Sequence, residues 1–211
     1  MTVRTLLRPF IPVALRSCYY QRLLRRTTPD PDALLCRDFI ASGDLVLDVG
    51  ANIGVYTKLL SDWVGPEGSV YSYEPIPETF FYLRHNVKKF GLANVTLQNS
   101  AVSSRLGRMS MTVPNGNFYR ASISSVGNRE IQVVRLDDEF VGSKRVTFIK
   151  CDVEGHEREV IEGTTKLIER DHPVWLMETR STAVVQRMAE LGYVGTRLGH
   201  DWLFRQGPAK R

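Results

Sequence analysis

The chain has 211 residues, 43% of them hydrophobic, enough to bury a sizeable core in one domain. Its formal charge of +5 is unevenly spread: residues 1–28 hold Arg4, Arg8, Arg16, Arg22, Arg25 and Arg26 and no acid, which leaves 22 basic against 23 acidic residues elsewhere and a body near −1. A nearly neutral body argues against a nucleic-acid-binding face on the core, so no nucleic-acid partner is expected.

Residues 1–28 read as a basic N-terminal arm ahead of a single domain over 29–211. The apolar stretch from Pro9 to Leu15, between Arg8 and Arg16, is too short to span a bilayer. No small-residue cleavage pattern follows it, so a signal peptide is not indicated. The arm can rest on an anionic membrane as a peripheral contact. The favoured reading is a leader that packs on the domain or frays, because Pro9 and Pro12 interrupt a long helix. Cys18, Cys36 and Cys151 form no C-x-x-C pair, so neither a zinc knuckle nor a disulfide framework is expected, and Cys151 reads as a small buried hydrophobe. The expected location is cytoplasmic.

After the arm, 31–40 reads as a short helix over the sheet edge. A strand at about 44–49 leads through Asp48-Val49-Gly50-Ala51-Asn52-Ile53-Gly54 into a helix at about 55–63. A turn at Gly65-Pro66-Glu67-Gly68 precedes a second strand at about 69–74, ending in Glu74-Pro75. The helix from Pro77 to Phe90 has proline at its start and Gly91 past its end. A third strand spans about 94–99. Residues 107–136 alternate in short runs around Asn115-Gly116-Asn117, which predicts one or two β-hairpins. The α/β rhythm resumes with a strand at 146–151, one helix over about 155–170, a strand at 174–177, a helix at about 181–191 and a terminal hairpin. This order predicts an α/β fold: a mostly parallel sheet with helices on both faces, an antiparallel C-terminal edge hairpin, and a β-hairpin insertion between strands three and four.

Ligands in such sheets bind beyond the carboxyl ends of the strands, which directs attention to Asp48, Glu74, Asn99, Asp152 and Glu178. The glycine turn brings bare backbone N–H groups and a helix N-terminus towards a ligand. A G-x-G-x-x-G dinucleotide turn is not met, because Asn52 and Val55 stand where glycines belong. Asp48 can hold an ammonium, the helix start can receive a carboxylate, and Glu74 can take the two hydroxyls of a ribose. A ligand with an amino acid at one end and a nucleoside at the other is S-adenosylmethionine.

Three blocks, Asp48 to Gly54, Tyr73-Glu74-Pro75 and Ile149-Lys150-Cys151-Asp152-Val153-Glu154-Gly155-His156-Glu157, resemble the signature blocks of the FkbM-type S-adenosylmethionine-dependent methyltransferases. Asn94-Val95-Thr96, Ala101-Val102-Ser103, Leu136-Asp137-Asp138 and Glu162-Gly163 are similar too, so the resemblance spans roughly 33–180. It implies a class I methyltransferase (Rossmann-like) fold and methylation of a hydroxyl on a sugar, glycolipid or natural product. By position it implies that Asp48, Gly50, Asn52 and Gly54 cradle the methionine part, that Glu74 binds the ribose, and that Asn99 and Ser100 lie near the adenine. His156 stands where the family commonly has a small residue, so it inherits no catalytic role.

A hydroxyl acceptor is a poor nucleophile until a base or a metal helps remove its proton. Three readings of the fourth strand's end stay open: Asp152 or Glu154 is a general base; Asp152 with Glu154 or Glu178 holds a divalent cation; or Asp152 or Glu154 only caps the next helix. In the hairpin region Asn115, Asn117, Tyr119 and Arg120 are suited to a sugar. Competing functions are a non-catalytic cofactor-binding module of the same fold and a nicotinamide-dependent oxidoreductase.

Overall fold

The computed structural model describes residues 13–26, 31–113, 122–123 and 127–208. Helices α1 (Val13–Arg26) and α2 (Pro31–Arg37) precede an alternation of β1 (Leu45–Val49), α3 (Val55–Val64), β2 (Ser69–Tyr73), α4 (Pro77–Phe90) and β3 (Val95–Gln98). Short strands β4 (Ala101–Val102), β5 (Gly107–Thr112), β6 (Ser122–Ile123) and β7 (Arg129–Val134) follow, then the one-turn helix α5 (Leu136–Glu139). The alternation closes with β8 (Val146–Cys151), α6 (Glu157–Glu162), α7 (Thr165–Asp171), β9 (Val174–Glu178), α8 (Thr182–Glu190), β10 (Tyr193–Leu198) and β11 (Asp201–Gln206).

The main sheet has the order β10-β11-β9-β8-β1-β2-β3. Strands β9, β8, β1, β2 and β3 are parallel. β11 runs antiparallel to both β9 and β10, so the terminal hairpin inserts its second strand beside β9 and leaves β10 at the edge. Every residue of β1 is buried, as expected of a central strand covered on both sides. Leu47, Val49, Ile149, Cys151, Trp175 and Met177 form one face of the core with residues of α6, α7 and α8. Val46, Val70, Phe148 and Leu176 form the other with Leu60 and Val64 of α3. Cys36 and Cys151 are free thiols packed in these two cores.

Several expectations change. In the segment at 31–40 the helix ends at Arg37, and Cys36 and Ile40 join the core cluster that holds Val46, Phe148, Leu176 and Leu203. The insertion pairs β5 antiparallel with β6 and with β7, as expected of hairpins, and β4 adds in parallel beside β7 to make a second sheet of order β4-β7-β5-β6. Asn115, Asn117, Tyr119 and Arg120 lie outside the described residues. The helix expected over 155–170 is two. Gly163 approaches the Ser103 carbonyl so closely that a Cβ would lie 2.0 Å from its oxygen. The Asp137 carboxylate then accepts from the Leu167 amide at 2.9 Å, ending α6 and capping α7 from outside the segment.

Helix α1 is docked rather than extended. Tyr20 and Leu24 pack with Tyr82 of α4 and with Ile53 of the glycine turn. Among the described residues no helix is long and apolar enough to cross a membrane.

Candidate active site

The parallel register brings the ends of four strands to one edge. Val49 pairs with Tyr73 and with Cys151, and Cys151 with Met177, so Gly50, Glu74, Asp152 and Glu178 follow in a row. They border a cleft of about 270 Å³. Gly50, Asn52, Glu74, Ser100, Asp152, Glu154 and Glu178, all singled out from the sequence, line it. Asp48, Gly54 and Asn99 stand behind the lining.

Gly50 has φ +83°, and a Cβ there would fall 1.8 Å from the Asp152 carbonyl oxygen. Only glycine lets the turn close against the exit of β8. The turn differs from a row of bare donors: the amides of Gly50 and Ala51 donate to the Tyr73 carbonyl, Asn52 to Glu74, and Gly54 to Ala51. Asn52 itself is left-handed, at φ +51°.

Asp48 is buried beneath the turn, where its Oδ2 accepts from Thr57 Oγ1 at 2.6 Å, and Thr57 in turn contacts Ser72. Burial pushes its carboxyl up to about 6, although the Thr57 hydrogen bonds and Lys150 favour the charged form. The residue read as an ammonium partner thus ties β1 to the first turn of α3.

Glu74 is buried and doubly held. Its Oε2 accepts from the Asn52 amide at 3.0 Å and its Oε1 from the Ile76 amide at 2.9 Å. Burial raises its pKa to about 7 against these two hydrogen bonds, with Asp48 and Asp152 adding repulsion. Asn99 donates to the carbonyls of Glu74 and Pro75, so it braces this turn from outside. Ser100 is different: its Oγ is buried, lines the cleft and has no hydrogen-bond partner. A buried hydroxyl without a partner beside a cleft is a polar group that a bound ligand could satisfy.

Asp152 is partly exposed in the cleft. Its Oδ2 lies 3.9 Å from Nζ of buried Lys150, which also reaches Asp201 at 3.5 Å and lies over the Tyr56 ring. Burial opposes the Lys150 charge, but Asp152 and Asp201 outweigh it and its pKa rises. Glu178 joins the cleft from the end of β9, its carboxyl raised by burial and by Asp152.

The capping reading fails on position. Helix α6 starts at Glu157 with His156 at its N-cap, and Glu157 reaches back to the Gly155 amide at 2.8 Å. Asp152 and Glu154 lie four and two residues before that cap. Glu154 has φ +51° and Gly155 φ +96°, so the chain bends sharply here and holds Glu154 at the cleft wall. The metal reading gains nothing: among the described residues no group of three or more His, Cys, Asp and Glu is set to hold an ion.

His156 is the residue the sequence missed. It is buried and lines the cleft, with Nε2 3.0 Å from Ser103 Oγ and Nδ1 3.5 Å from Glu159. Burial lowers its pKa below the usual histidine value, so it is neutral near pH 7. Met111 and Ile123 of the second sheet also line the cleft.

Residues 48–194 match the model of the methyltransferase FkbM domain. The chain is 32% identical over 133 residues to the hexuronic acid methyltransferase AglP of Haloferax volcanii, a match covering 60% of this chain and 52% of that protein. It is 30% identical over 156 residues to the 31-O-demethyl-FK506 methyltransferase FkbM of Streptomyces tacrolimicus, covering 57% and 59%. It therefore spans between half and three-fifths of these two relatives. Among solved structures, methyltransferase FkbM from Methylobacillus flagellatus superposes with a TM-score of 0.57 at 16% identity, over 90% of this chain and 59% of that one. Fibrillarin of Aeropyrum pernix with natively bound S-adenosyl-L-methionine gives 0.53 at 16% identity, over 79% and 68%. At these identities the likeness shows the fold, the class I methyltransferase sheet, and the family match speaks for a methyltransferase over a nicotinamide oxidoreductase.

Proposed function

We propose, for a chain that belongs to the FkbM methyltransferase family and so uses S-adenosylmethionine, that the methyl acceptor is a hydroxyl on a sugar, a glycolipid or a natural product. The observation that carries the proposal is Asp152: a carboxylate open to the cleft, tethered from behind by a buried lysine, at the end of the strand next to the glycine turn. The names of the two relatives support a sugar or natural-product acceptor, since one is a hexuronic acid methyltransferase and the other a 31-O-demethyl-FK506 methyltransferase.

The residues fit the cofactor. Glu74 accepts hydrogen bonds from the ribose hydroxyls, and Ser100 Oγ gains a partner from the nucleoside end. Gly50 and Asn52 hold the methionine end against α3, with Asp48 fixing the turn from below. Bound there, S-adenosylmethionine supplies an electrophilic methyl group on a sulfonium whose charge disperses as the methyl leaves. The chain's own work is alignment, exclusion of water and removal of one proton.

Asp152 takes the proton from the acceptor hydroxyl as its oxygen becomes the nucleophile. Lys150 orients Asp152 and holds the end of β8 to the terminal hairpin through Asp201. Neutral His156 also lines the cleft without adding charge. Glu154 and Glu178 give the cleft an acidic rim that can accept hydrogen bonds from further hydroxyls of a polyol.

The test is to locate the methyl group. Product made from methyl-labelled cofactor and a panel of uronic acids, glycosides and macrolides is read by NMR. A methyl ether supports the proposal; a methylamine or C-methyl product overturns it.

A further inference from the structure

We infer that α1 and the outer face of α4 form a seat for an anionic lipid surface. Helix α1 is amphipathic in two directions. Ser17, Tyr20 and Leu24 face the domain, while Leu15, Tyr19 and Leu23, spaced four residues apart, are 60%, 54% and 40% exposed. At about 100° per residue these three share one stripe, with Arg22 at its border. Among the described residues the helix docks on the domain by its other side, through Tyr20 and Leu24.

The stripe continues onto α4. Ring contacts run from Tyr19 to Tyr20 at 5.6 Å, to Tyr82 at 5.0 Å and to Phe81 at 5.4 Å. Phe81 is itself 40% exposed. The surroundings are basic. Arg22 and Arg25 of α1 and Arg84, Lys88 and Lys89 of α4 are exposed. Helix α1 has no acid, and α4 has only Glu78, which is paired with Arg129.

Leucine and aromatic side chains that project beside arginines match a bilayer's two zones: acyl boundary for the apolar stripe, phosphate headgroups for the cations. A nucleic acid would use the cations and leave Leu15 and Leu23 in water, so the stripe favours lipid. The seat is built on the cofactor side of the molecule, since Tyr20 and Leu24 cover Ile53. It suits an enzyme whose acceptor is itself carried on a membrane, although the lipid contact stands without that.

The experiment is co-sedimentation of the full chain with phosphatidylcholine vesicles, with and without about one-third phosphatidylglycerol. The seat predicts binding to the anionic vesicles at low salt and its loss at high salt. Leu15→Asp/Leu23→Asp should weaken binding at least tenfold. Arg22→Gln/Arg25→Gln should weaken it about fivefold for each arginine. Both should keep the wild-type melting temperature, and the arginine pair carries the test by itself if the leucine pair disturbs the helix. Indifference to anionic vesicles at low salt overturns the inference. So does equal binding to neutral vesicles, or a salt-sensitive affinity for single-stranded RNA that the leucine pair leaves intact while vesicle binding is absent.

Discussion

Glu74 Oε2 accepts the backbone amide of Asn52 across 22 residues of sequence, at 3.0 Å, so the acid that ends β2 and the glycine turn that ends β1 are one hydrogen-bonded unit. Cofactor affinity should then depend on the charge of Glu74. Its pKa of about 7 means that the ionised form, the better acceptor of two ribose hydroxyls, predominates only above neutrality. S-adenosylhomocysteine affinity is expected to fall up to tenfold per unit as pH drops below about 7. Glu74→Gln should bind about 10- to 100-fold more weakly at pH 8 and show a flatter profile, converging on the wild type in acid. Calorimetric titration across this range checks both slopes.

The same two buried carboxyls set the stability of the free protein. Asp48 and Glu74 both have folded pKa values above their ordinary ones, so the folded state holds more protons than the unfolded state between about pH 4 and 7. Their contribution is fully present below about pH 4 and is lost as pH rises through about 6 and 7. Glu74→Gln should therefore gain stability relative to the wild type as pH rises through this window, measured by urea unfolding.

At Gly50 the close approach leaves no room for a side chain. Gly50→Ala puts a methyl on the Asp152 carbonyl oxygen and forces an alanine to φ +83°. The expected cost is about 2–4 kcal/mol or failure to fold, since backbone rather than a flexible side chain must move. If the variant folds, the gap between β1 and β8 opens and cofactor binding is lost. An alanine variant with wild-type melting temperature would contradict the geometry.

How much of this could be read beforehand depended on distance along the chain. Gly50, Asn52 and Glu74 were legible because turn chemistry and strand ends are local signals. The break at Gly163 and the burial of His156 were not, because both involve contacts with residues distant in sequence, such as Ser103, more than fifty residues away: its carbonyl faces Gly163 and its hydroxyl meets the imidazole. Asn99 carried the right signal, a polar strand end, but its amide goes to the Glu74 and Pro75 carbonyls while its neighbour Ser100 faces the cleft. Alternation along a strand end decides that, and a one-residue uncertainty in the strand's end inverts it. The parallel pairing of β4 with β7 had no hairpin signature to announce it.

Helix α1 shares a buried cluster with Ile53 of the glycine turn and Tyr82 of α4. Removing residues 1–28 exposes Ile53 and Tyr82, and should lower both the melting temperature and the S-adenosylhomocysteine affinity. Ile53→Ala should reproduce part of the loss, about 2–4 kcal/mol of stability for a buried isoleucine. Differential scanning fluorimetry with and without the ligand separates the two effects.

Asp152 is the group proposed to remove the acceptor's proton. The direct measurement is the turnover of Asp152→Asn with saturating S-adenosylmethionine and an acceptor that the wild type methylates. Because the Asp152 side chain is partly exposed and bears only a long ion pair to Lys150, the variant should fold and bind S-adenosylhomocysteine as the wild type does. Turnover should fall by about 10²- to 10⁴-fold, the usual size of a general-base contribution. Turnover within a few fold of the wild type, with cofactor affinity unchanged, would contradict the role of Asp152.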